Sequence, residues 1–451
     1  MAKQKLAWGM LLAGIIAGCS SGPALLTRPD DPGQARFDGR ALLVLSDADI
    51  AGTAYADGVL KPLAGAADTL GVFRAPIGAG GEARVGASNS VMGWPGAVDA
   101  SPDGRFAYVV ETRAPAPAGV EAFEDGGVNA GMPKGRLLTA IVIADLTAPR
   151  VLGTMDVGEE PTSVHVAPDG RFALVSRKES EAPLVAVILE NGAPTRVVPI
   201  GLPLAVQADR AEDRGALSVR LAPNGQDFVI NVANTHVQFA RLQFGSDGLP
   251  TGATSIGPAV PVGKWITMFR WAPDGRHLLI ADVAWSAEQL GAVLNGPGQI
   301  VSVAFDAAGA HRIVSQQQVS LSPEGFDINR AGDLLAVVNM ERTYLPERMP
   351  YQLFGRRDRN SLSLVGFDAA TGVLSAVDGP VAFDGVLPED AVFDADGDMI
   401  AVAVFHAKEA APQAGWVAYF RIDRTGSAPR IVPTGVQTPT VRGAHDLVLI
   451  P

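Results

Sequence analysis

The sequence predicts an all-β chain closed into a seven-bladed β-propeller. Three observations predict it: a hairpin phrase that recurs six times, strand-like runs between the copies, and two chain ends that complement each other. The phrases are VDASPDGRFAYVVE (98–111), VHVAPDGRFALVSR (164–177), VRLAPNGQDFVIN (219–231), FRWAPDGRHLLIAD (269–282), FDINRAGDLLAVVN (326–339) and AVFDADGDMIAVAV (391–404). Each is a β-rich run, a turn whose Gly supplies positive φ, and a second β-rich run, which together make a hairpin.

The runs LTAIVIADL (138–146), PLVAVILE (183–190), QFARLQF (238–244), QIVSVAF (299–305), SLSLVGF (361–367) and WVAYFRI (416–422) fill the intervals. Copies recur every 50 to 66 residues, so each period holds two strands plus two more. That is a propeller blade rather than a solenoid repeat. At the N-terminus, FDGRALLVLS (37–46) has the turn and second strand but no first strand. At the C-terminus, GAHDLVL (443–449) matches the first strand in GAVDASP (96–102) and stops before a turn. Joined, they make blade 1, with strands b, c and d from residue 37 to about 90 and strand a from His445 to Leu449. Such closure removes an open sheet edge.

At the end of the second strand stand Tyr108-Val109-Val110-Glu111, Phe228-Val229-Ile230-Asn231 and Ala336-Val337-Val338-Asn339. On these residues the repeat resembles the Tyr-Val-Thr-Asn (YVTN) family of seven-bladed propellers and the related lactonase-like propellers, over about residues 37–451. The resemblance implies the fold. Propellers of this kind include binding proteins, scaffolds and hydrolases, so function has to be argued from the site.

Ahead of the propeller, Lys3 and Lys5 precede an apolar run, Leu6 to Ala17, that ends in Ile16-Ala17-Gly18-Cys19-Ser20-Ser21. This is the layout of a secretory signal, too short for a permanent membrane helix. The small residues before Cys19 resemble the lipobox of bacterial lipoproteins, in which the cysteine thiol receives diacylglycerol. Cys19 is the only cysteine, so a processed chain has no disulfide and no thiolate metal site. Ser20, in place of Asp, resembles the signal for transfer to the outer membrane of Gram-negative bacteria. The expected division is a signal at 1–18, a flexible Ser/Pro/Gly/Asp-rich tether at 19–36 and the propeller at 37–451, anchored to the bilayer through acylated Cys19 in the cell envelope. A net charge of −12 argues against nucleic acid, and a 47% hydrophobic content argues for a large core.

Aligned on the turn, one position carries Asp446, Asp99, His165, Arg220, Arg270, Asp327 and Val392 in blade order. Strand a lines the central channel, so six ionisable groups are expected to converge near the axis. They form either a site for a polar ligand or a ring of inter-blade ion pairs and hydrogen bonds. A second set at the end of strand b is Ser46, Glu111, Arg177, Asn231, Asp282 and Asn339. The b–c insertions at 113–136, 284–298, 342–360 and 406–415, with the d–a segment 202–215, elaborate one face, whereas the a–b turns are short. Function collects on such loops, which makes this face the expected surface for a protein, peptide or glycan ligand. Its Arg342, Arg348, Arg356, Arg357 and Arg359, interleaved with Tyr344, Tyr351 and Phe354, have the composition of recognition surfaces. An ordered flap over the channel is the alternative.

No G-x-S-x-G, H-E-x-x-H or phosphate-binding glycine loop occurs, and no metal motif or cofactor is expected, a channel-bound cation being left open. Asp394-Ala395-Asp396-Gly397-Asp398 coincides with a blade turn and lacks a calcium loop's distal Glu. Two functions remain: a membrane-anchored binding or scaffold module, and a lactonase-like hydrolase. The hydrolase would use His165 as base or ligand, Arg220 and Arg270 facing an oxyanion, and Asp99, Asp327 and Asp446 orienting them.

Overall fold

In the computed structural model the described residues are 22–32, 36–76, 81–89, 95–123, 131–178, 181–210, 213–286, 292, 294–346, 357–409 and 412–451. Strands b of the blades are mostly apolar and buried because both faces pack against neighbouring blades, as in Phe172–Arg177, where every residue is buried. Outer strands such as Arg150–Asp156 alternate between half-buried and exposed residues, as expected where one face meets water. The result is seven antiparallel sheets.

Blade 1 pairs β1 (Ala41–Ser46), β2 (Thr69–Arg74) and β3 (Glu82–Gly86) with the last strand of the chain, Ala444–Ile450, which lies innermost beside β1. The register runs from Ala41 opposite Ile450 to Leu45 opposite Asp446, so the closure expected from the two ends is present. Blades 2 to 7 follow in chain order, each with its first strand innermost. Those inner strands are Val98–Ala100, Pro161–Val166, Ala216–Leu221, Ile266–Trp271, Pro323–Ile328 and Val386–Phe393.

The repeated turn does the same work in every blade. Gly104, Gly170, Gly225, Gly275, Gly332 and Gly397 all have φ between 63° and 75°, and each donates its amide to the carbonyl three residues earlier. The turn proline then packs beneath the next blade: Pro102 lies beside Gly170, Pro168 beside Gly225, Pro223 beside Gly275 and Pro273 beside Gly332.

On the opposite face the long loops pack on one another. Ile50, Ala54 and Leu60 of blade 1, Met132 of blade 2, Val283 of blade 5, Met340, Tyr344 and Leu345 of blade 6 and Phe405 of blade 7 form one hydrophobic cluster, with Phe123, Trp265 and Trp285 at its edge. Backbone hydrogen bonds Leu60 N to Glu121 O (2.9 Å) and Phe123 N to Gly58 O (3.0 Å) tie the first two loops. These loops therefore form a lid over the axis.

The segment expected as a flexible tether differs from that reading where it is described. Leu26 pairs with the outer strand of blade 6 at Val381, Arg28 binds Asp378 and Ile431 O, and Asp31 N donates to Pro433 O on blade 7. Side-chain ion pairs and main-chain pairing override the Pro/Gly/Asp composition. Cys19 and the signal lie outside the described residues.

Candidate functional site

The aligned position does converge on the axis. Asp99, His165, Arg220, Arg270 and Asp327 are partly exposed, whereas Asp446 is 2% exposed. The inner-strand residues on the lid side of them are buried: Thr162, Ser163, Ser218, Thr267, Met268, Glu324, Glu389 and Asp390. The ring is thus reached by water from the face of the short Pro-Asp-Gly turns, and the channel ends beneath the lid.

Most ring groups hold the next blade. Asp446 accepts the amides of Gly96 (2.8 Å) and Val98 (3.1 Å), Asp99 that of Val166 (2.8 Å), His165 Nδ1 that of Leu221 (3.3 Å) and Asp327 that of Phe393 (2.9 Å). Arg270 Nε donates to Phe326 O (2.7 Å) and stands 3.5 Å from Asp327 and 3.9 Å from Asp390. At the seventh seam Val392 offers nothing, and Asp390 accepts Leu447 N (3.1 Å) instead. Each of these is an inter-blade fastener, the structural alternative considered for the ring.

Arg220 departs from the pattern. Its guanidinium makes no hydrogen bond or ion pair with any described residue, and at the level of the ring blades 4 and 5 are joined instead by Trp271 Nε1 reaching back to Arg220 O (3.4 Å). Burial, then the neighbouring Arg270, lowers its pKa against the pull of Asp99, Asp446 and Asp390. For Arg270 burial acts in the same direction, but Asp327, Asp390, Asp446 and Asp99 outweigh it and the pKa rises. Burial brings His165 down to about 4, so the ring is neutral at pH 7. With Nδ1 accepting from Leu221, its proton sits on Nε2, which makes it a donor rather than a base.

Under the lid lies a group the turn alignment did not find. Glu324 and Glu389 occupy equivalent places on the inner strands of blades 6 and 7, three residues ahead of Asp327 and Val392, and are 3% and 2% exposed. One carboxyl oxygen of each, Oε2, is buried without a hydrogen-bond partner. Burial pushes both pKa values well up, with Asp390 adding to Glu324 and with Glu324, Asp47, Asp446 and Asp390 adding to Glu389. Tyr55 from the blade 1 loop is raised by the same surroundings, burial first. The strands meet closely here: a Cβ on Gly325 would lie 2.2 Å from Glu389 O, so only glycine fits. The sequence does carry a signal, the Pro-Glu pair at 323–324 and again at 388–389.

The second expected set is buried and engaged. Glu111 accepts Arg136 N, Arg177 donates to Ala182 O and Val157 O, Asp282 accepts the amides of Lys264, Trp265 and Ala284, and Asn339 bonds Ser361 and Ser363. Asn231 (0% exposed) and Ser46 (2%) are interior as well. Arg342 is 1% exposed and grips Asn295, and Tyr344 donates to Ala292 O (2.7 Å), so both are lid fasteners. Arg357 pairs with Glu341 (2.9 Å) and Arg359 with Asp384 (2.9 Å), while Arg348, Tyr351, Phe354 and Arg356 lie outside the described residues. Beside the lid, an open cavity of about 380 Å³ is lined by Lys264, Asp282, Gln299 and Gln316 among others.

A trio absent from the expectations, Asp47, Asp49 and Asp68, brings carboxylate oxygens within 4.8 Å of one another. Asp68 accepts the amides of Ala48 and Asn89, and the buried Arg442 stands near Asp47 and Asp49.

No protein-family profile and no curated protein sequence matches the chain. Among solved structures it is similar to a Bacteroides fragilis protein described as a putative 6-phosphogluconolactonase (TM-score 0.56, 12% identity, covering 91% of this chain and 98% of that one). A Bacteroides uniformis protein of the same description gives TM-score 0.56 and 12% identity over 90% and 98%. A functionally unknown protein from Desulfotomaculum acetoxidans gives 0.55 and 11% over 90% and 98%. At such identities the likeness shows the fold alone, a seven-bladed propeller.

Proposed function

We propose that this chain is an envelope-anchored propeller that binds a small hydroxylated carboxylic acid, or its lactone, in the channel mouth on the short-turn face. The observation that carries this is the unpaired Arg220 guanidinium, held in a water-accessible channel beside Arg270. An arginine with its donors unused, enclosed by protein, is disposed to accept a carboxylate in a bidentate pair. The flanking blades, with Asp99 and the Nε2–H of His165 on one side of the arginine pair and Asp327 on the other, offer acceptors and a donor to hydroxyl groups. Of the described loop-face residues first expected to bind ligand, Arg342 and Tyr344 are spent on lid packing and Arg357 and Arg359 on ion pairs, so the reading moves to the channel.

A hydrolase reading is favoured by one further observation: Glu324 and Glu389 have their pKa values pushed well up by burial, the direction a general acid requires. They lie deeper than the ring, so this reading needs a substrate that reaches past Arg220.

The test is calorimetric titration of the purified protein with a panel of sugar acids and their lactones, with lactone hydrolysis followed in parallel. Binding to the native protein and its loss in Arg220→Ala supports the proposal; no binding anywhere in the panel overturns it. Hydrolysis abolished by Glu389→Gln selects the enzyme. The anchoring part is tested by labelled palmitate, which is expected on the native chain and absent from Cys19→Ala. Equal labelling of both would overturn it.

A further inference from the structure

Cys19 and the first described residue, Gly22, are close in sequence, and that closeness bears on how an anchored chain would be oriented. Gly22 packs against Leu321, at the end of the outer strand of blade 5, and beside Arg357 in the blade 6 b–c loop. Arg357 also donates to Pro23 O (2.9 Å). Both neighbours belong to the lid face. From there the segment is fastened down the outer edge: Leu26 to blade 6, Arg28 to Asp378 and Ile431 O, Asp31 to blade 7, and Asp38 N to Asp394 in the turn of blade 7. Only three residue steps separate Cys19 from Gly22. Whatever conformation they take, they span at most about 11 Å.

Resting on the reading of Cys19 as acylated, we infer that the propeller is held with its lid face, at the edge of blades 5 and 6, against the headgroup surface of the anchoring bilayer, and that the channel mouth opens on the far side, toward the aqueous compartment. A tether of the full 19–36 length would allow any orientation, since about 18 flexible residues have a root-mean-square span of roughly 25 Å. The fastened segment removes that freedom. A ligand for the ring arrives from solution rather than from the membrane plane, and the elaborated loops meet lipid headgroups.

The full-length acylated protein in vesicles, with a spin-labelled headgroup lipid as quencher, tests this. Fluorophores are placed on Asp384→Cys, an exposed position on the lid face of blade 6, and on Asp396→Cys, exposed in the short turn of blade 7. The acylated Cys19 leaves the new thiol alone to label. Quenching at position 384 is expected to exceed that at 396 several-fold. Inserting 20 Gly/Ser residues between Ser21 and Gly22 should abolish the difference. Equal quenching, the reverse order, or a difference that survives the insertion would overturn the orientation while palmitate labelling stays intact. Loss of palmitate labelling in the native chain would instead defeat the lipid reading on which the orientation rests.

Discussion

Arg220 and Arg270 occupy equivalent positions on adjacent inner strands, yet the structure gives them opposite roles, and replacing each by alanine separates those roles. Arg270→Ala removes the hydrogen bond to Phe326 O (2.7 Å) and the ion pairs to Asp327 (3.5 Å) and Asp390 (3.9 Å), leaving Asp390, which is 0% exposed, without its counter-charge. Breaking a buried pair costs about 3–5 kcal/mol. Because Arg270 and Asp327 are 20% and 19% exposed and the pair distances are long, we place the loss at about 2–3 kcal/mol. For a propeller of about 415 residues the unfolding entropy is about 0.9 kcal/mol/K, so Tm should fall by about 3 °C. Arg220→Ala removes no such partner and relieves repulsion with Arg270, so its change should stay within about 0.5 kcal/mol, under about 1 °C. Differential scanning calorimetry of both variants at pH 7, with titration of a sugar acid, reads the two effects. An Arg220→Ala protein that loses as much Tm as Arg270→Ala would refute the reasoning, because Arg220 would then be a fastener like the others.

Deleting Gly443–Pro451 removes the inner strand of blade 1, the Asp446 cap on Gly96 and Val98 and the Leu447 amide that Asp390 holds, so loss of a cooperative melt by circular dichroism is expected. Stability should fall as pH rises above about 4.5, because Glu324 and Glu389 keep their protons in the folded chain after the unfolded chain has released them. Glu389→Gln should flatten this slope, by up to about 1.4 kcal/mol per pH unit, in urea melts from pH 5 to 8. In the opposite direction, His165 and His406, both held near 4, and His445, held near 3, take up protons only in the unfolded chain between those values and 6.5. This histidine contribution to stability is lost on acidification below pH 6.5; between about 4.5 and 6.5 it opposes that of the two carboxyls, so it should show more clearly in Glu389→Gln. Arg28→Ala breaks the bond to Asp378 (2.7 Å) and that to Ile431 O (2.6 Å), so limited proteolysis within residues 22–32 should speed up about tenfold, a local opening of about 1–2 kcal/mol, with the main melt unchanged.

The blades were legible because strand period and turn chemistry are local: Pro-Asp-Gly between two β-branched runs names its own conformation. The closure was legible because a turn without its first strand at one end and a strand without its turn at the other have one economical pairing. Equivalence around the ring was legible too, but only down to residue type. Val392 does occupy the equivalent register in blade 7, opposite Ala401 as Asp327 is opposite Ala336, but valine has no polar atom to offer and Asp390, two residues earlier, takes over the seam. A role handed to a neighbouring position is invisible to a fixed offset. The lid was legible only as an alternative, an ordered flap over the channel, and for a different reason. Ile50, Leu60, Met132, Trp285 and Phe405 are visibly apolar, but their partners lie in other blades, and long-range packing leaves no local pattern in the sequence.

Uniformity around the ring gives the exception its meaning. Six seams are fastened by an inner-strand side chain of the preceding blade: Asp446, Asp99, His165, Arg270, Asp327 and Asp390. Asp99, His165, Asp327 and Asp390 hold equivalent amides, those of Val166, Leu221, Phe393 and Leu447, so the arrangement repeats with the blades. At the seam from blade 4 to blade 5 an aspartate at position 220 would complete the series and gain a hydrogen bond of about 1 kcal/mol. Instead the position holds an arginine whose charge is disfavoured by burial and by Arg270, with the indole of Trp271 as a 3.4 Å substitute fastener. Stability forgone at one member of an otherwise regular set is characteristic of a site kept for binding rather than for folding. It follows that Arg220→Asp should restore the seam, raising Tm while abolishing ligand binding, whereas a ring built only for closure would show no such trade.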